Sequence, residues 1–173
     1  MKLNLSIIQK ELSDMIVFTE QMIDPPLVMS CTYPVIDTDR SIYTEGPVYI
    51  LTADQISGGE ILDGHPSFIC IGIPPSSLFK KECNILYTRD RTDPIFLLNQ
   101  VQQIFYKYYQ WETQMQDIID NELPIKEMGK LSFPFIENPM ILQGSGFKVI
   151  FQILPSPGKN STKLHKEYHD GWK

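Results

Sequence analysis

One stretch constrains this chain more than any other, the segment from Asp93 to Leu123. Leu97, Val101, Ile104, Tyr108, Trp111, Met115 and Ile118 recur at spacings of 4, 3, 4, 3, 4 and 3, which is the a/d seam of a heptad pattern. Asp93 is placed to cap the first turn, and Pro94 suits the first helical position, where a missing N–H leaves no bond unmade. Pro124 disfavours helical geometry at Leu123, so the helix is expected to end there. A stripe this regular has to be covered. The cover is either the rest of the chain or another helix across a two-fold axis, and the pattern by itself does not separate the two.

The composition supplies material for that cover. Hydrophobic residues make up 42% of the 173 positions and charged residues 21%, the balance of a chain able to bury a core. The length suits one domain with an extension. Fifteen Lys and Arg against 21 Asp and Glu give a formal charge of −6, the wrong sign for gripping phosphate backbones, so no direct nucleic-acid binding is expected. Cys31, Cys70 and Cys83 are an odd set with no C-x-x-C spacing, which argues against a disulfide framework or a structural zinc site. Cys70 lies in the apolar run Phe68 to Ile71 and reads as a small buried hydrophobe. The N-terminus is too polar for a signal-peptide core, and no run approaches membrane-spanning length, so a cytoplasmic location without membrane contact is expected. On that reading the sequon at Asn160 has no role.

Ahead of the long helix, Leu5, Ile8, Leu12 and Met15 predict a short amphipathic helix opened by a Ser6/Gln9 capping box. Four apolar runs then read as strands: Leu27 to Cys31, Val48 to Thr52, Phe68 to Ile73 and Ile85 to Thr88. Turn clusters separate them at 24–26, 37–39, 57–59, 63–66 and 74–77. The third run is apolar on both faces, as a strand covered on both sides would be. A short helix is expected around Leu78 to Glu82. Beyond Pro124, Ile125, Met128 and Leu131 predict a second helix broken by Pro134 and Pro139. Met140 to Leu142, a Gly144-Ser145-Gly146 turn and Phe147 to Leu154 predict a β-hairpin with apolar groups on both faces. The remainder, 155–173, reads as a polar tail.

Candidate chemistry is thin. His165, Glu167 and His169 place imidazoles at i, i+4 without a third ligand, and a solvated tail is the simpler account. Gly144-Ser-Gly146 lacks the flanks of a nucleophile elbow. Asp37 and Asp39 offer too few oxygens for calcium. His65, after Asp63 and Gly64, is a proton-transfer candidate with no second titratable group nearby in sequence. Tyr106, Tyr108, Tyr109 and Trp111 suggest base stacking only if a basic groove accompanies them, and Lys107 is the one base on the helix. Core packing is preferred.

Asn99-Gln-Val-Gln-Gln-Ile-Phe-Tyr-Lys-Tyr-Tyr-Gln-Trp-Glu112, with Leu131-Ser-Phe-Pro-Phe-Ile-Glu-Asn-Pro-Met-Ile-Leu142 and Phe147-Lys-Val-Ile150, resembles the upstream half of PucR-type transcriptional regulators. The resemblance runs best from Ile95 to Ile150, with the first ninety residues as the family's N-terminal α/β domain. It implies an N-terminal domain, a helical linker, a PAS- or GAF-like sensor and a C-terminal helix-turn-helix. This chain departs from that plan by ending soon after the first hairpin of the sensor, and by Gln143-Gly-Ser-Gly146 where relatives tend to carry an acidic residue. No effector-binding residue carries over.

The resulting expectation is an α/β protein with four parts. Residues 1–92 form a compact regulatory domain, 93–135 the long and short helices of a linker or dimerisation element, 136–154 an incomplete PAS/GAF-like β-hairpin, and 155–173 a tail. The expected function is non-enzymatic: a transcription-regulation module that pairs as a homodimer, or as a heterodimer with a related regulator, through the Leu97 to Ile118 coiled-coil seam. No catalytic residue, cofactor or metal is expected, while a small-molecule effector is allowed. The rival readings are a ligand-sensing domain and a small stand-alone enzyme centred on Asp63 and His65 or on Cys31.

Overall fold

The computed structural model describes residues 1–21, 30–36, 42–56, 59, 61–88, 92–136, 139–147 and 149–153. The expected strand Leu27 to Cys31 lies largely outside them, as do the turns at 24–26 and 37–39, most of that at 57–59, and the tail with its His165/His169 pair. The chain is an α/β protein that divides into two compact units, Met1–Tyr109 and Gln110–Lys173.

In the first unit, α1 (Leu5–Glu11) leads to β1 (Ile16–Gln21), β2 (Tyr33–Ile36), β3 (Ile42–Thr44), β4 (Pro47–Thr52), β5 (Ile61–Asp63), β6 (Ser67–Ile71) and β7 (Asn84–Thr88). Five of these form one sheet in the order β1-β7-β6-β4-β2. β2, β4, β6 and β7 run parallel, and β1 closes one edge antiparallel to β7. Parallel neighbours need a crossover. Here the described crossovers hold no α-helix: β3 and β5 pair in parallel with each other instead, and single 3₁₀ turns occupy Ala53–Gln55 and Leu78–Lys80.

That arrangement explains why β6 and β7 are buried at every position. On one face Tyr49, Leu51, Phe68, Cys70, Ile85 and Tyr87 gather with Tyr43 of β3, Leu78 and Cys83 into a core that Leu62 of β5 also joins. Tyr43 meets Tyr49 and Phe68 edge-on, at 4.9 and 5.0 Å between ring centres, the geometry that ring quadrupoles favour. Val48, Ile50, Ile69 and Leu86 alternate to the other face and are fully buried.

The short first helix is capped by Asn4, whose side chain accepts the Ser6 N–H at 2.7 Å. This corrects the expected Ser6/Gln9 box. Asn4 also takes the Ser6 hydroxyl as a donor, so Ser6 is held by the cap and does not itself serve as one. The apolar period runs on to Met15, yet the helix stops at Glu11, because the chain turns at 12–15 into β1.

The long helix, α2 (Pro94–Asp120), begins as expected, with the Asp93 carboxylate accepting the Phe96 N–H at 2.7 Å. The division between the units falls inside it. Its end is a Schellman motif: Leu123 N–H donates to Ile118 O at 3.0 Å and Glu122 N–H to Ile119 O at 3.1 Å. Glu122 takes the left-handed position with φ of 52°, a place that usually belongs to glycine.

In the second unit, α3 (Ile125–Ile136) follows, then β8 (Met140–Gln143) and β9 (Val149–Ile153), paired antiparallel. The sequence predicts a break at Pro134, but α3 continues through it to Ile136. The lost amide donor costs one helical bond, and Phe135 just beyond it stacks on Trp111, ring centres 5.1 Å apart and planes 26° from parallel. Buried Gly129 lets β9 approach α3, since a Cβ there would strike the Phe151 ring and come within 3.1 Å of Ile153 Cδ1. One face of the hairpin is therefore covered by α3.

Candidate functional site

The seam residues do not share one environment. Leu97 and Val101 are fully buried and Ile104 and Tyr108 nearly so, inside the first unit. A lateral tie fixes this half of α2 to α1: Lys107 Nζ donates to both oxygens of Glu11 at 2.8 Å, and the Tyr108 hydroxyl donates to Glu11 Oε1 at 3.0 Å. Partial burial pushes the Glu11 carboxyl up, but the Lys107 and Tyr108 hydrogen bonds together with the Lys107 charge outweigh it and leave the pKa lowered.

Trp111, Met115 and Ile118 belong to the second unit and are only half-buried. α3 covers part of them. Trp111 lies on Phe135, and Ser132 donates to Met115 Sδ at 3.6 Å. Ile118 instead opens onto a groove of about 480 Å³ between α2 and α3, with Leu123 and Leu131 beside it and Gln114, Asp117, Glu127 and Lys130 around it. The Schellman cap ties the backbone of Leu123 back to Ile118, and both residues line the groove. Lys130 forms a 3.0 Å ion pair with Glu127 along one rim. An apolar floor with a charged rim is the anatomy of a protein-binding surface. Around it the same unit exposes Ile119, Leu123 and Ile125 to 54%, 49% and 47%, and the uncovered side of the hairpin exposes Val149 and Ile150.

The other candidate, His65, sits at the amino-terminal ends of β6 and β7, bordering a recess of about 520 Å³ with Leu62, Gly64, Lys81 and Glu82. The Glu45 carboxylate folds over Gly64, where a Cβ would collide with it, and accepts the His65 N–H at 2.9 Å. Asn84 Nδ2 donates to the His65 carbonyl at 3.3 Å. The ring Nδ1 is buried without a hydrogen-bond partner among the described residues, an arrangement that costs free energy until something supplies a partner. Ligands of open parallel sheets gather at the carboxyl ends of strands; this recess is at the opposite end.

The cysteines are fully buried. Cys31 bridges to Leu3 through paired backbone bonds and reaches Ser67 Oγ at 3.8 Å. Burial, with a smaller push from Asp54, raises the Cys70 thiol to about 12, and burial raises Cys83 to about 11 against the opposing Lys81 charge. Thiols so placed are packing groups and not nucleophiles. No group of three or more His, Cys, Asp or Glu among the described residues is arranged to hold a metal ion. No helix among them is long and apolar enough to cross a membrane.

Ile118 was legible as a seam residue, whereas Leu123 read only as a helix end and Leu131 only as part of a second helix. The sequence points to His65 but does not place Lys81 and Glu82 beside it. The missing signals are the packing of α3 beside the capped end of α2 for the groove, and the parallel pairing of β6 with β7 for the recess. Compared with protein-family models, with curated proteins and with solved structures, the chain matches none. What the fold and the groove define is therefore a class, an α/β protein carrying an apolar helical groove.

Proposed function

We propose that the chain is a non-enzymatic regulatory module that works by binding a partner protein along the α2/α3 groove, in the manner of the sensory half of a PucR-type regulator, in the cytoplasm and without touching nucleic acid directly. The observation that carries the reading is the half-covered end of the seam. Ile118, Leu123 and Leu131 form an apolar floor with charged groups at its edge, and the natural occupant is a helix of a related regulator, which would complete the heptad stripe. The experiment is capture of a full-length PucR-type regulator by the purified chain. Wild type is expected to retain it, and Ile118→Asp and Leu131→Asp to lose it while keeping a native circular-dichroism spectrum. Capture that survives both substitutions would sink the proposal.

A second reading has its own observation, the Nδ1 of His65, which has no hydrogen-bond partner among the described residues, beside a recess that Lys81 and Glu82 also line. A small hydrogen-bonding effector seated there would satisfy the ring. A thermal-shift screen of metabolites against wild type and His65→Ala is the test, and the reading predicts a compound that raises the melting temperature of the first and not of the second.

A further inference from the structure

The α2/α3 groove has an apolar floor and acidic surroundings. From 110 to 136 five acids stand against two lysines, a net −3. Asp117 and Glu127 line the groove itself, and its one lysine, Lys130, is paired with Glu127. A segment of the same chain has the complementary character. Residues 159–173 lie outside the described ones, and their sequence sets Lys159, Lys163, Lys166 and Lys173 against Glu167 and Asp170, a net +2. The large apolar groups there, Leu164, Tyr168 and Trp172, are spaced by four, which on a helix puts them along one face. Lys163 with Glu167 and Lys166 with Asp170 repeat that spacing with opposite charges, and such pairs favour a helix.

We infer that this segment docks in cis in the α2/α3 groove, with Leu164, Tyr168 and Trp172 on the floor of Ile118, Leu123 and Leu131 and its excess positive charge among the acids around it. This regulation rests on the groove being a protein-binding surface, and it makes the tail a competitor of the partner helix. The tail has the reach. β9 comes up against Gly129 of α3 through Phe151 and Ile153, two residues from Leu131. The eleven residues from Ile153 to Leu164 extend up to about 36 Å, whereas the twelve residues of α3 are about 18 Å long. Tethering favours the tail over any free chain of equal chemistry. A short linker sets an effective concentration on the order of 1 mM, so a contact with a Kd of only about 100 µM in trans fills about nine-tenths of the grooves in cis. The open remainder lowers the apparent affinity for a partner about tenfold.

The test is fluorescence anisotropy with a labelled peptide of residues 159–173 added to the full chain. A chain carrying Leu164→Asp and Tyr168→Asp, its own tail released, should bind the peptide with a Kd on the order of 100 µM, and wild type about tenfold more weakly. Adding Ile118→Asp or Leu131→Asp to the released chain should abolish binding while the circular-dichroism spectrum stays native. The inference is overturned by no binding to the released chain, by equal binding of a scrambled peptide of the same composition, or by binding that survives both groove substitutions. It is also overturned by a wild type that sediments at twice 20.0 kDa and returns to that mass with the tail substitutions, because the tail would then cross to a second copy. Capture of a full-length PucR-type regulator tells the two readings apart, with the released chain expected to hold it about tenfold more tightly than wild type. Equal capture by both chains removes the tail from the groove and leaves partner binding standing. Peptide binding as expected, with capture by neither chain, leaves the tail in place and ends the partner reading.

Discussion

The two halves of α2 carry one heptad pattern and meet two fates. From Leu97 to Tyr108 the seam is at most 6% exposed, and from Trp111 to Ile118 it is only partly covered. The side chains are comparable, so the difference lies in the surroundings. The first half belongs to a unit with a five-stranded sheet and a second helix tied on through Glu11. The second half has one twelve-residue helix and a two-stranded hairpin for company, and a small unit buries a smaller share of its surface. Periodicity decides which face of a helix is apolar; the number of layers available decides how much of that face stays wet.

The sharpest way to break this comparison is to place the same charge in both halves. Ile104→Asp should cost roughly 3–5 kcal/mol, because the carboxylate loses water without gaining a partner, whereas Ile118→Asp at the open groove should cost roughly 1 kcal/mol or less. Urea denaturation of both variants measures this, and equal costs would mean the distal half is as enclosed as the proximal one. Next in size, Gly129→Ala drives a methyl into the Phe151 ring and should destabilise the second unit by roughly 1–3 kcal/mol. Hydrogen exchange would then quicken from Met140 to Ile153 while β4, β6 and β7 keep their protection. If the sheet loosens too, the units are not energetically separate.

A stabilising change tests the same boundary from the other side. Glu122 holds the left-handed position of the α2 cap, so Glu122→Gly should add up to about 1 kcal/mol to the second unit, read as a later urea midpoint for its exchange-protected amides. The smallest effect concerns Glu11. Its carboxyl titrates below its ordinary value of 4.5 in the folded chain, so the tie to Lys107 and Tyr108 contributes stability that is complete above that pH and disappears as pH falls through the folded value. Solvent screening of this partly exposed pair holds the contribution to under about 1 kcal/mol. Glu11→Gln should remove that part of the acid dependence in the first unit and leave the second unchanged.

Much of the first unit was legible because it obeys local rules. β4, β6 and β7 are continuous apolar runs, and Asp93-Pro94 opens α2 where capping chemistry says it should. β2 escaped because Pro34 interrupts it, a residue tolerated in a strand at the sheet's edge. β3 and β5 are too short to show a period. β1 begins one residue after a helical pattern that the chain abandons. The hairpin was expected to need cover on both faces. Gly129 admits Phe151 and Ile153 to α3, and the irregular register between Leu142 and Gln143 pairs Gln143 with Val149, which is left in solvent with Ile150. A glycine in a helix reads in sequence as a weakness, and its use as a socket is visible only when the ring that fills it is known.

The placement of sulfur and indole also gives the molecule two built-in reporters. All three thiols sit fully buried in the first unit, and Trp111 stacks on Phe135 in the second. A thiol reagent therefore counts openings of one unit, and the indole fluorescence of Trp111 in a Trp172→Phe variant follows the other. Together the two signals show which unit yields first, with no truncation of the chain.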